Sequence, residues 1–171
     1  MSKRNTDPVA VMVSHLHASA NDMSGWMGSQ SIEGDLYRSF LGEPLGEGSA
    51  RYVYRCKVNP EIVIKIERPG SFQNVIEFQT WSDVEFAKPV IRDWFAPVYS
   101  ISPNGRVLIM RRCEPAKRKD FPDLVPAFLN DRKHQNFGMI DGRLVCLNYG
   151  SGAVTENLNK RQVKARWWNE D

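Results

Sequence analysis

Leu45-Gly46-Glu47-Gly48-Ser49-Ala50-Arg51-Tyr52-Val53-Tyr54, followed by Ile62-Val63-Ile64-Lys65-Ile66, is the stretch that decides the fold. Small turn-forming residues separate Leu45 from the β-prone Tyr52-Val53-Tyr54, which reads as strand, tight turn, strand. Pro60 breaks the second strand, and Ile62–Ile66 makes a third. Connections this brief leave no room for crossover helices, so the three strands form an antiparallel sheet. Lys65 is the lone charge in its run. Strand alternation puts it on the face opposite Ile64 and Ile66, beneath the glycine turn.

Working outward, Ser71 to Ala87 has a helical pattern in which Phe72, Val75, Ile76, Trp81 and Phe86 supply most of an apolar face. Glu77 sits mid-helix between Ile76 and Phe78, with Glu85 as a rival carboxylate. Phe95–Ile101 and Arg106–Met110 read as two further strands around the Pro103-Asn104-Gly105 turn. The fold class expected is therefore α+β: a five-stranded antiparallel small lobe with one helix, over residues 35–112. Residues 1–34 read as a polar N-terminal arm. Residues 113–171 form a smaller second unit. There Lys117-Arg118-Lys119 is solvated, and Leu124–Leu129 makes a short helix at most. Asp141-Gly142 signals a hairpin between Met139-Ile140 and Arg143–Leu147. Thr155–Trp168 can be drawn as an amphipathic helix that docks Leu158, Val163 and Trp167.

With 171 residues, 42% of them apolar and 25% charged, the chain can bury a core of its own. A net charge of +3 is too mild to imply nucleic acid. Cys56, Cys113 and Cys146 lack metal-ligand spacing, and Cys56 and Cys146 suit reduced core thiols. No apolar run approaches membrane-spanning length and the N-terminus is not signal-like, so no membrane partner is expected and a cytoplasmic location is.

The chemistry lies in Asp131-Arg132-Lys133-His134-Gln135-Asn136 and, shortly after, Leu147-Asn148-Tyr149-Gly150. Taken in order with the glycine turn, Lys65 and Glu77, these segments resemble the protein kinase-like superfamily, over roughly residues 42–152. Asn136-Phe137-Gly138, the hairpin and Asn148-Tyr149-Gly150 are similar to its aminoglycoside-kinase-like and phage-encoded branches. The resemblance implies a cleft for ATP and Mg2+. Gly46, Gly48 and Ser49 would line the phosphates, Lys65 would contact them while paired to Glu77, and Met110 would lie beside the adenine. Asp131 would position a substrate hydroxyl, with Lys133 near the transferred phosphate. Asn136 and Asn148 would offer oxygens to the metal.

Three departures accompany the resemblance. Asn148 stands where kinases carry the metal-binding Asp, removing a charge central to phosphoryl transfer. Ala50-Arg51 also lacks the third glycine of the loop. The large lobe is much reduced, with only Pro115–Asn130 between hinge and catalytic-like loop. The implied function is a minimal serine/threonine kinase-like transferase weakened or silenced at Asn148. The alternative is a pseudokinase that regulates a protein partner, or a homo-oligomer that covers the reduced lobe.

Overall fold

The computed structural model describes residues 39–87, 89–150 and 161–168. The expected N-terminal arm and Leu158 lie outside the described residues. Strands β1 (Leu41–Glu47), β2 (Arg51–Cys56) and β3 (Ile62–Glu67) are followed by helix α1 (Gln73–Val84) and the short α2 (Pro89–Arg92). Strands β4 (Val98–Ile101) and β5 (Val107–Arg111) complete a five-stranded antiparallel sheet of order β1-β2-β3-β5-β4. The chain is α+β, and the expected strand count and helix position hold. β4 starts at Val98 rather than Phe95; Phe95 instead makes an isolated bridge to Cys146.

Alternation gives the sheet two different faces. Cys56, Ile62, Ile64, Val107 and Ile109 pack as one buried cluster, flanked by Phe40, Leu41 and Ile66. Val63, Leu108 and Met110 face the other way, into the larger core, and Lys65 shares their side of β3.

Helix α1 buries a different face from the one expected, and of the five expected apolar residues only Trp81 is buried. Phe72, Val75, Ile76 and Phe86 are exposed, and the buried residues are Asn74, Glu77, Trp81 and Val84. The helix docks through polar groups at its N-terminal half. Asn74 Nδ2 donates to the carbonyls of Lys65, Gly105 and Arg106 at 3.1–3.3 Å. The buried Glu67 carboxylate accepts from the Gln73 and Asn74 backbone N–H groups at 2.6 and 2.8 Å. A negative charge on free helix-start donors is a favourable cap, and it ties α1 to the end of β3.

Beyond β5 come β6 (Glu114–Pro115), β7 (Leu124–Pro126), β8 (Phe137–Ile140), β9 (Arg143–Cys146) and β10 (Gln162–Lys164). The β8–β9 hairpin turns through Asp141 and Gly142 at φ 50° and 76°, the left-handed pair that such a two-residue turn requires. Leu124–Leu129 begins as a strand, not a helix, and Gln162–Lys164 pairs with it antiparallel. The described part of the tail is thus extended where an amphipathic helix was expected. Val163 lies opposite the fully buried Val125, so a strand satisfies backbone and side chain together.

One apolar cluster joins the sheet to this C-terminal part. Val63, Trp81, Phe95 and Met110 belong to it, as do Phe128, Phe137, Val145 and Tyr149 from beyond residue 112. Tyr149 is edge-on to Phe95, which stacks on Phe128. This shared core holds the Asn136 and Asn148 loops against the sheet. No helix among the described residues is long and apolar enough to cross a membrane.

Candidate functional site

Lys65 and Glu77 meet as the sequence suggests. Lys65 Nζ donates to Glu77 Oε2 at 2.8 Å, both side chains are buried, and Glu85 is exposed at the helix end. Lys65 Nζ also donates to the Leu147 carbonyl at 2.6 Å. Glu77 Oε1 in turn accepts from the backbone N–H groups of Tyr149 and Gly150 at 2.9 and 3.2 Å. One carboxylate therefore fastens the sheet, the helix and the segment carrying Asn148. Gly150 is essential to that approach: a Cβ there would lie 2.3 Å from the Gln73 carbonyl oxygen.

Arg51 adds a second buried cation. Its guanidinium holds Glu77 at two points, 2.7 and 3.0 Å, and reaches Asn74 Oδ1 at 3.3 Å. It also donates to Asn148 Oδ1. Its sequence position is the one at which the kinase resemblance expects the loop's third glycine.

The electrostatics follow from three charges out of water. Burial pushes the Glu77 carboxyl upward, but the attraction of Lys65 and then Arg51 overrides it, leaving the group below its ordinary pKa. Burial lowers the Lys65 pKa; Glu77 opposes that shift and Arg51 reinforces it. Two cations share one carboxylate, and the guanidinium cannot give up its proton, so the strain falls on the lysine.

The amide orientations are fixed by the same contact. A guanidinium only donates, so the Asn148 atom facing Arg51 is its oxygen. Asn148 Nδ2 then donates to Asn136 Oδ1 at 2.9 Å. Asn136 Nδ2 is left buried without a hydrogen-bond acceptor among the described residues. The two expected metal ligands are adjacent, but each oxygen is already engaged.

This arrangement does not fit Mg2+. The ion needs unengaged, preferably anionic oxygens. Here both amide oxygens are neutral and each already accepts a hydrogen bond, and the Glu77 carboxylate is shared by two cations. Among the described residues there is no group of three or more His, Cys, Asp or Glu side chains suited to a metal.

The remaining expected site residues lie on β1, the β1–β2 connection, β5 and the segment before β8. Gly46 is exposed near the end of β1, Gly48 and Ser49 are exposed in the β1–β2 connection, and a Cβ at Gly46 or Gly48 would meet no close neighbour. Sterics within the protein therefore do not demand glycine there. Met110 is buried near the end of β5. Asp131 is half-buried, and its carboxylate accepts from the Lys133 N–H at 3.4 Å. The Lys133 ammonium lies 5.6 Å from the Trp168 ring centre. His134 stacks on Trp167, which packs edge-on against Phe121 and Phe137 and donates to the Pro122 carbonyl at 2.8 Å. Docking of Trp167 on the chain itself agrees with the sequence reading.

Burial pushes the thiols of Cys113 and Cys146 up to about 12, so both stay neutral; Cys56 and Cys146, the two expected in the core, are buried and free. Sequence reasoning missed Arg51, Asn74 and Glu67. A signal for Arg51 existed: it lies two residues before Val53, whose register partner is Lys65, and so shares that face.

No protein-family model and no curated protein matches the chain. Among solved structures, the streptomycin–ATP–APH(2")-IIa ternary complex is similar at 19% identity and a TM-score of 0.38. The likeness covers 52% of this chain and 30% of that one, so the chain spans under a third of that protein's length.

Proposed function

We propose that this chain is a kinase-like nucleotide-binding protein, with a small lobe over residues 35–112 and a reduced large lobe over 113–171. The observation that carries the reading is the buried Lys65–Glu77 pair at 2.8 Å, tied through Arg51 to Asn148 and so to Asn136. ATP is the ligand. Its phosphates lie along Gly46, Gly48, Ser49 and Lys65, and its base lies toward Met110 and the Arg111–Glu114 segment. Asp131 is the residue placed to orient a hydroxyl for serine/threonine kinase-like transfer.

Transfer is weakened or abolished in this chain. Asn148 supplies no charge, and its oxygen is held by Arg51. This contact favours a second reading, a pseudokinase that binds nucleotide and regulates a protein partner. ATP should raise the melting temperature of the chain, because a ligand of the native state stabilises it by mass action. Lys65→Ala should reduce that rise. Unchanged melting at millimolar ATP would contradict nucleotide binding. Transfer of labelled γ-phosphate to a protein substrate would decide for the kinase and against the pseudokinase.

A further inference from the structure

We propose that the Arg51 guanidinium takes the place of the divalent cation in this cleft, so that nucleotide phosphates bind without metal. The inference rests on the nucleotide-binding reading above and deepens it. Three observations support it. First, Arg51 sits between Glu77 and Asn148, bonded to both, so a fixed positive charge already occupies the ground between the helix carboxylate and the expected metal ligands. Second, that contact engages the Asn148 oxygen and turns Asn148 Nδ2 onto the Asn136 oxygen, so each neutral oxygen already accepts a donor. Third, the groups left over are donors. Asn136 Nδ2 is 4% exposed by residue and unpartnered among the described residues. Lys65 Nζ has three N–H bonds, of which Glu77 and Leu147 take two.

Unpaired donors suit phosphate oxygens and repel a metal ion. Arg51, Lys65 and Glu77 sum to one positive charge; the other buried carboxylate, Glu67, balances it in number but is bonded to Ser71 and the start of α1 instead. Arg51 acts here through its charge, since Glu77, Asn74 and Asn148 already engage its terminal N–H groups. Direct phosphate contacts fall to Lys65 and Asn136. Replacement of the family's metal-binding Asp by Asn and of its third glycine by Arg thus becomes one compensated change.

The test is calorimetric titration of ATP into the full chain, once with excess EDTA and once with MgCl2. The expected result is equal affinity in both. Affinity more than about tenfold tighter with Mg2+, a difference of roughly 1.4 kcal/mol, would overturn the inference and leave the nucleotide reading standing. No binding in either buffer would overturn both. Arg51→Met, checked for folding by circular dichroism, should weaken metal-free binding by about ten- to a hundredfold, the scale of removing one nearby positive charge. A folded Arg51→Met chain that binds ATP in EDTA as tightly as wild type would also overturn it. Should Arg51→Met fail to fold, Arg51→Lys keeps the charge and should retain metal-free binding; Mg2+-dependent binding by that variant would count against the inference. The double variant Arg51→Gly with Asn148→Asp should acquire Mg2+-dependent binding, and its failure to do so while folded would argue against an exchange of cation for metal.

Discussion

Arg51 and Glu77 form a two-point ion pair, 2.7 and 3.0 Å, in which the carboxylate is fully buried and simultaneously holds Lys65. The pair is asymmetric in its consequences. Removing Glu77 strands two buried cations, whereas removing Arg51 leaves a balanced Lys65–Glu77 pair. Glu77→Ala should therefore cost on the order of 3–5 kcal/mol. Arg51→Met should cost less, about 1–3 kcal/mol from lost hydrogen bonds. Urea unfolding of both variants checks the order; a larger loss for Arg51→Met would contradict it.

Acid should act through the same carboxylate. The folded-state pKa of Glu77 is lowered from its ordinary 4.5, so its contribution to stability is present in full above that value. It is lost as pH falls through the lower folded value, because the unfolded chain takes up the proton first. Melting temperatures of the wild type should fall on that acid limb, and those of Glu77→Gln should fall less steeply. Parallel acid limbs would remove Glu77 as a cause.

The glycines divide into two kinds. Gly150→Ala places a Cβ 2.3 Å from the Gln73 carbonyl oxygen and must push the Asn148 segment off α1. Its expected cost is about 1–3 kcal/mol. Gly48→Ala meets no close neighbour and should change stability by no more than about 0.5 kcal/mol. If the β1–β2 turn holds phosphates, Gly48→Ala should nonetheless weaken ATP binding. Thermal melts and titrations separate the two effects, and full ATP affinity in Gly48→Ala would take the turn out of the site.

Cys113 and Cys146, with pKa values raised to about 12, should resist iodoacetamide at pH 8 in the native chain. Both should react readily in denaturant. Mass spectrometry after timed labelling reads this directly, and fast native labelling of Cys146 would contradict its burial.

The sheet was legible because its strands obey alternation and their connections are too short for anything but hairpins. The Lys65–Glu77 contact followed from a lone charge on a buried face and a carboxylate mid-helix. The turn at Asp141-Gly142 announced itself by residue type. The α1 face was misread because apolar periodicity locates burial only where burial is apolar. Asn74 and Glu77 are buried through hydrogen bonds and ion pairs, leaving Phe72 and Phe86 outside. Arg51 escaped notice because arginine beside a turn normally reads as solvated. The tail was misjudged because Gln162–Lys164 gains its structure from pairing with Leu124–Pro126, a distant segment that local pattern does not reveal.

Co-crystallisation with a non-hydrolysable ATP analogue in EDTA bears most directly on the central claim, that this cleft holds nucleotide. The phosphates should lie against Lys65 Nζ and Asn136 Nδ2, with the Arg51–Glu77 pair intact behind them. An analogue bound elsewhere, or a cleft still closed by the Lys65–Leu147 contact at saturating ligand, would contradict the claim.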